Sequence, residues 1–244
     1  MNSAYHRHVA FPSGLGNSTS RQLRSMSPML VIPVGSTEQH GPHLPLDTDT
    51  RIATAVSHGV VERLVGGEWL VAPAVSYGAS GEHEGFPGTV SIGTAALRLL
   101  LVEYGRSASN WASRLVFVNG HGGNVEALAA AVALLRYEGR DVGWVSCSAV
   151  DSDAHAGHTE TSVLLHISPG DVWTDELTRG NTAPLAELMP RLRSGGIAAV
   201  SELGVLGDPT TATAAEGERI FAEMVNGCAD RITRWQPDRN GMLI

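Results

Sequence analysis

Four short apolar runs, separated by segments of helical periodicity, constrain the fold of this 244-residue chain more than any other feature. They cover residues 29–35, 69–75, 115–119 and 142–146. Strands that are buried on both faces form continuous apolar runs, and strands that alternate with helices pair in parallel. We therefore predict an α/β fold, namely a three-layer α/β/α sandwich around a mainly parallel sheet.

The segments between and after these runs carry the predicted helices. In residues 49–65, for example, Ile52, Val56, Val60 and Leu64 lie on one helical stripe. The same kind of pattern predicts further helices at residues 95–112, 125–138, 159–166 and 212–235. The remaining long segments are an irregular N-terminal arm and a polar loop, at residues 1–24 and 76–94. A chain of this length can form one α/β domain, and no linker divides residues 1–244.

The composition narrows the classes of function. The formal net charge is −8, which disfavours a nucleic-acid partner or an anionic membrane surface. No run reaches the roughly 18 apolar residues of a membrane span, and residues 1–20 lack the apolar core of a signal peptide. We therefore expect a cytoplasmic protein. Cys147 and Cys228 lack a CxxC spacing, so buried reduced thiols are favoured over a disulfide.

Acids and imidazoles follow three of the predicted strands, at the point where each strand ends. In chain order these residues are Glu38, His40, Asp49, His121, His155 and Glu160. Because ligands of parallel sheets bind beyond the carboxyl ends of the strands, we expect these side chains to share one rim. Carboxylate and imidazole together are the ligand set of zinc, manganese and ferrous iron. The pattern therefore predicts a metal-dependent enzyme.

Each cluster also has a simpler explanation. The segment 38–49 could be a solvated acidic loop, although its prolines and glycine would stiffen such a loop for no evident purpose. The glycine-rich turn around His121 could bind an anion at a helix N-terminus, but it lacks the lysine and spacing of a phosphate loop. The segment 151–162 could be only a helix start, capped by Thr159 or Ser162.

Three other residues are candidates for supporting roles. Asp153 could orient an imidazole from behind the ligands, and His43 and His83 could support a ligand or contact a substrate. An exposed loop histidine is the competing interpretation of His83. No HExxH, HxHxDH or GxSxG pattern occurs, so the sequence offers no support for a covalent serine or cysteine mechanism.

Four ordered motifs make the chain resemble the creatininase family of metal-dependent amidohydrolases. They are GSTEQHGPHLP with Asp49, FPGT at 86–89, NGHGGN at 119–124, and HAG with ETS at 155–162. The similarity runs from about residue 31 to residue 218 and includes the GVLGDP turn at 204–209.

This resemblance implies an α/β/α sandwich with two divalent metal ions at the carboxyl end of the sheet. The implied ligands are Glu38, Asp49 and His121 for the first ion and His40, Asp49 and Glu160 for the second. Asp49 would bridge the two ions, and His155 would transfer a proton. Creatininases carry a ligand glutamate two residues after the histidine of the third strand, where this chain has Gly123. Glu160 is therefore assigned as the missing ligand, as in the HAGxxETS branch.

Within the family, the chain is most similar to peptidases that cut a radical-modified precursor peptide near its C-terminus. Such enzymes release a cross-linked Val-Tyr moiety. Hydrolysis of small cyclic amides or formamides is the alternative within the same chemistry, and a non-catalytic metal-binding protein is a third possibility. The presence of both His155 and Glu160 argues against the third. The ions would be zinc or iron, with manganese as an option, and the family forms closed homo-oligomers. The arm and the 76–94 loop could form a cleft for a chain end.

Overall fold

A four-stranded, all-parallel sheet forms the centre of the computed structural model, which describes residues 14–244. The strands are β1 (Met29–Val34), β2 (Trp69–Val71), β3 (Arg114–Asn119) and β4 (Val142–Ser146), in the order β2-β1-β3-β4. The predicted parallel sheet is confirmed. Strand β2 is shorter than predicted because Pro73 follows it and cannot donate a ladder hydrogen bond.

Seven α-helices surround the sheet within the described residues. They are α1 (Ser20–Leu23), α2 (Thr48–Arg63), α3 (Gly93–Ala108), α4 (Val125–Tyr137), α5 (His158–Ile167), α6 (Leu185–Gly195) and α7 (Ala214–Arg234). None of the helices in this part of the chain combines the length and apolar character that a membrane crossing requires. The predicted arm is only partly testable, because residues 1–13 lie outside the described part. The described part of the arm, residues 14–24, is not wholly irregular, since Thr19 and Gln22 form a capping box at α1.

Each face of the sheet has its own apolar core. On one face, Leu30 and Ile32 of β1 and Phe117 of β3 pack with residues of α3 and α4. On the other face, Val31 and Val116 pack with residues of α2, α5 and α7. Successive side chains of a strand point to opposite faces, and both faces of these strands are covered. The predicted three-layer α/β/α sandwich is therefore confirmed.

Helix α6 was not predicted from the sequence. Its pattern is interrupted by Pro190, which lies inside the helix and removes a backbone donor. The helix is short and mostly exposed, with Leu188 as its buried residue. Leu188 packs with Ile197, Val200 and Leu206 in a small third core. This minor core attaches α6 beside the carboxyl edge of the sheet.

Two glycines let the first turn of α2 lie directly against the strand ends. A Cβ atom on Gly35 would overlap the backbone of Thr50, and one on Gly120 would lie 2.5 Å from the carbonyl oxygen of Asp49. Real Cβ atoms do not approach other atoms so closely, so any side chain would push the helix away. The absence of side chains at these two positions places Asp49 between the ends of β1 and β3.

We expect Gly120→Ala to destabilise the metal-free protein by about 1–3 kcal/mol, because the new methyl group is forced against the backbone of α2. Gly122→Ala is the matched control, since a Cβ atom there meets no atom within 4 Å. Both changes reduce the entropy of the unfolded chain alike, so their difference isolates the crowding. Urea denaturation measures both free energies of unfolding. Equal values for the two variants would contradict the close approach.

Candidate metal centre

The carboxylate of Asp49 lies between two imidazoles. Its Oδ1 atom is 3.1 Å from Nε2 of His40, and its Oδ2 atom is 3.2 Å from Nδ1 of His121. Ser36 Oγ donates a hydrogen bond of 2.7 Å to Oδ2, which fixes the rotation of the carboxylate. Each oxygen of Asp49 thus faces a different group of potential ligands, and the carboxylate can bridge two ions.

The first group consists of Glu38, Asp49 and His121, which offer ligand atoms that all lie within 4.8 Å of one another. Glu38 is fully buried, and neither of its carboxylate oxygens accepts a hydrogen bond from the described residues. Oε2 lies 3.2 Å from Nε2 of His121, and Oε1 lies 3.2 Å from Nε2 of His83. A buried acid without hydrogen bonds is costly unless a cation compensates it. The first group therefore fits a divalent ion.

The second group consists of His40, Asp49 and Glu160. Nδ1 of His40 donates to the carbonyl oxygen of Glu38 at 3.1 Å, so Nε2 points at the other two residues. Oε2 of Glu160 lies 3.9 Å from this Nε2 and accepts a hydrogen bond of 2.6 Å from the backbone of Ala156. Backbone bonds thus orient His40 and Glu160, and the Ser36 hydroxyl orients Asp49, as partners behind the ligands do in known metal sites.

The electrostatics show that these groups compensate one another. Burial lowers the pKa of His40, but the carboxylates of Asp49, Glu160 and Glu38 outweigh it and raise that pKa to about 10. Burial raises the pKa of Glu160 to about 7, although the charge of His40 opposes the shift. Burial also acts to raise the pKa of Asp49, but His40 and His121 hold it well below its ordinary value. Because metal ligands must be deprotonated, an ion that binds here displaces protons.

His155 and His83 lie beside these groups and line the same cavity. Nε2 of His155 donates to the carbonyl oxygen of Gln39 at 2.8 Å, and Nδ1 lies 3.9 Å from Oε1 of Glu38. Glu38, His40 and His155 form a third set of closely spaced ligand atoms. His83 is only 3% exposed, so its interpretation as an exposed loop histidine is wrong.

The structure also decides the alternative for the segment 38–49. The segment with Glu38, His40 and Asp49 is buried, so it is not a solvated loop. The helix after His121 has Asn124 at its N-cap, but the Asn124 side chain bonds the backbone of Ala79 and Gly35.

The structure also shows what the two candidate supporting residues Asp153 and His43 contact. The carboxylate of Asp153 accepts hydrogen bonds from the backbone of His158 and Thr159, so it caps α5 and the expected contact with an imidazole is not formed. Short carboxylates favour such free N–H groups at helix starts, whereas the sequence had suggested Thr159 or Ser162 as the capping residue. His43 is buried, is not part of the cavity lining, and bonds Thr161 Oγ1 through Nε2 at 2.9 Å.

A cavity of about 460 Å³ opens above the two groups. Sequence reasoning missed two parts of its lining, namely Glu82 and the wall formed by α6. The one feature of the sequence that could have indicated Glu82 was its position next to His83 in the polar loop. The α6 wall carries Leu185, Met189 and Leu192, which follow helical spacing, together with Arg193.

Comparison with known families decides the relationship. Residues 17–232 match the creatininase family profile, described as creatinine amidohydrolase. The chain belongs to the creatininase family. Membership confirms the family resemblance of the motifs, and it shows that the protein is a hydrolase.

Three relatives illustrate the family. The chain is 83% identical to the mycofactocin precursor peptide peptidase of Mycolicibacterium smegmatis, over 100% of both chains. It is 32% identical to a creatinine amidohydrolase of Pseudomonas putida, over 84% of this chain and 88% of that protein. A creatininase mutant solved in a Zn-Zn form is 29% identical, with a TM-score of 0.76 over 93% of this chain and 99% of that chain.

Proposed function

We propose that this protein is a metal-dependent peptidase that cleaves the modified mycofactocin precursor peptide near its C-terminus. The cut releases the cross-linked Val-Tyr moiety. The similarity to the Mycolicibacterium smegmatis peptidase carries this proposal, because it extends over the whole of both chains at high identity. The much lower identity to the creatinine amidohydrolase makes hydrolysis of a small cyclic amide the second candidate.

The cavity supports a substrate larger than a small cyclic amide. Its volume of about 460 Å³ lies within the range of sites that enclose drug-sized ligands. One side carries the acids and imidazoles, and the opposite side is the apolar stripe of α6. An apolar wall across from the reacting groups suits the side chains of a peptide end. The 76–94 loop, which the sequence suggested as part of a cleft, contributes Glu82 and His83 to the lining, and α6 adds an apolar wall that the sequence did not suggest.

The two groups around Asp49 are proposed to hold two divalent ions. Glu38, Asp49 and His121 bind the first, and His40, Asp49 and Glu160 bind the second. The unpartnered oxygens of buried Glu38 support this assignment. Mixed carboxylate and imidazole ligands suit Zn²⁺, Fe²⁺ and Mn²⁺. Such ions, when bound, would polarise the amide carbonyl and lower the pKa of water, so that hydroxide is available for the attack near neutral pH.

His155 is the residue proposed to move the proton. Its Nε2 atom is committed to the carbonyl oxygen of Gln39, so Nδ1 is the atom available on the side of Glu38. In the proposed reaction, Nδ1 accepts a proton from the attacking water and delivers it to the leaving amide nitrogen as the C–N bond breaks. Proton transfer of this kind contributes about 10²- to 10⁴-fold to the rate.

The first test is hydrolysis of the modified precursor peptide by the metal-loaded protein, followed by mass spectrometry. We expect release of the C-terminal Val-Tyr moiety, and loss of this activity with a chelator, because the attacking water depends on the ions. Creatinine and a formamide serve as parallel substrates. An intact peptide together with hydrolysis of a small amide would refute the peptidase assignment and favour the second candidate.

We expect His155→Gln to lower kcat by about 10²- to 10⁴-fold while the bound metal per subunit stays the same, since His155 moves a proton and is not assigned as a ligand. His58→Gln is the control, because His58 is an exposed imidazole on α2. Turnover and metal content are measured on the same samples. Loss of metal from the His155 variant would instead make this residue a ligand, and an unchanged kcat would remove it from the mechanism.

The α6 wall makes a separate prediction. Met189→Asp places a charge where the substrate is expected to bury apolar surface, so we expect KM for the peptide to rise at least about tenfold. Metal content should not change, because Met189 belongs to none of the candidate ligand groups. Glu187→Gln is the control on the exposed side of the same helix. A wild-type KM for Met189→Asp would show that α6 does not contact the substrate.

A further inference from the structure

Glu82 brings a further carboxylate to the candidate metal centre. It belongs to the short 3-10 helix Gly81–His83 and lines the cavity. Its Oε1 atom lies 3.5 Å from Nε2 of His121, the same nitrogen that lies 3.2 Å from Oε2 of Glu38. Two atoms that bind one tetrahedral zinc at about 2.1 Å lie about 3.4 Å apart. Both acids therefore lie about as far from the imidazole nitrogen as two ligands of one ion would. In this structure the same nitrogen donates to the carbonyl oxygen of Ala79 at 3.2 Å, so an ion that binds here would replace that hydrogen bond.

The space that Glu82 uses exists because residue 123 is a glycine. A Cβ atom on Gly123 would lie 2.5 Å from Nε2 of His121 and 2.8 Å from Oε1 of Glu82. It would also overlap the carbonyl oxygen of Ala79. Any side chain at this position would therefore displace the carboxylate from the imidazole. The glycine-rich turn leaves the approach open for an acid that comes from a different segment of the chain.

His121 is the one cationic side chain at salt-bridge distance from Glu82 within residues 14–244. Arg193 of α6 lines the same cavity but does not pair with this carboxylate. Glu38 and Asp49 are the other two acids that lie against His121, each at 3.2 Å. Three acids thus surround one imidazole, and the oxygens of the fully buried Glu38 accept no hydrogen bond from this part of the chain, so a cation would stabilise the site.

We propose that Glu82 is a further ligand of the first ion and binds it from the cavity side, beside Glu38, Asp49 and His121. The side chain of Glu82 is 35% exposed, which leaves it room to close onto an ion. The inference rests on the proposed metal centre, but it does not depend on which amide the enzyme cleaves. It assigns a role to an acid outside the motifs that identify the family in this sequence.

The test compares Glu82→Gln with Glu84→Gln, an exposed acid two residues away in the same loop. Zinc affinity is measured by competition with a chromophoric chelator, and cobalt absorption spectra report the coordination of the bound ion. We expect Glu82→Gln to weaken one of the two binding steps at least about tenfold and to change the cobalt spectrum, whereas Glu84→Gln leaves both unchanged. Circular dichroism of the metal-free variants controls for folding.

Two outcomes would overturn the inference. Wild-type zinc affinity in Glu82→Gln would exclude Glu82 from the metal centre. Weaker binding with an unchanged cobalt spectrum would mean that Glu82 acts by holding His121, and direct coordination would be refuted. The zinc titration of the wild-type protein distinguishes a failure of this inference from a failure of the proposed function. If the wild-type protein binds no metal, the metal centre itself fails, whereas peptide cleavage does not enter this comparison.

Discussion

The carboxylate of Asp49 is the constraint on which the rest of the site depends. Each of its oxygens faces a different imidazole, His40 on one side and His121 on the other. This geometry requires the first turn of α2 to lie against the ends of β1 and β3, which Gly35 and Gly120 permit. Since a parallel sheet gathers its carboxyl ends on one edge, the ligands from distant segments converge on this one carboxylate.

The cavity joins two surfaces with opposite character. Its floor holds acids and imidazoles whose charges compensate one another. Its wall is the apolar stripe of α6, a helix that a small third core attaches to the domain. In the proposed function, the floor carries out the hydrolysis and would serve a small cyclic amide equally well. The apolar part of the wall is what favours a peptide as the substrate. Glu82 lines the cavity beside His121.

Sequence reasoning was accurate where a single physical rule dominated. Periodicity located the sheet, and the rim rule for parallel sheets brought together Glu38, Asp49 and His121. It failed where backbone groups compete for a side chain. Asp153 was expected to orient an imidazole, but it accepts hydrogen bonds from the free N–H groups at the start of α5. The position of Asp153 in the sequence does not reveal which donors tertiary packing will leave free.

The sequence by itself determined the layered α/β fold, the family, and the acids and imidazoles that gather at the sheet edge, because these follow from periodicity and motif order. Only the tertiary structure decided the position of α6, whose pattern Pro190 interrupts. It also brought Glu82 beside His121, in space that Gly123 leaves open. Both depend on contacts between segments far apart in the chain. No local pattern encodes such contacts, since they arise only when the packed layers bring those segments together.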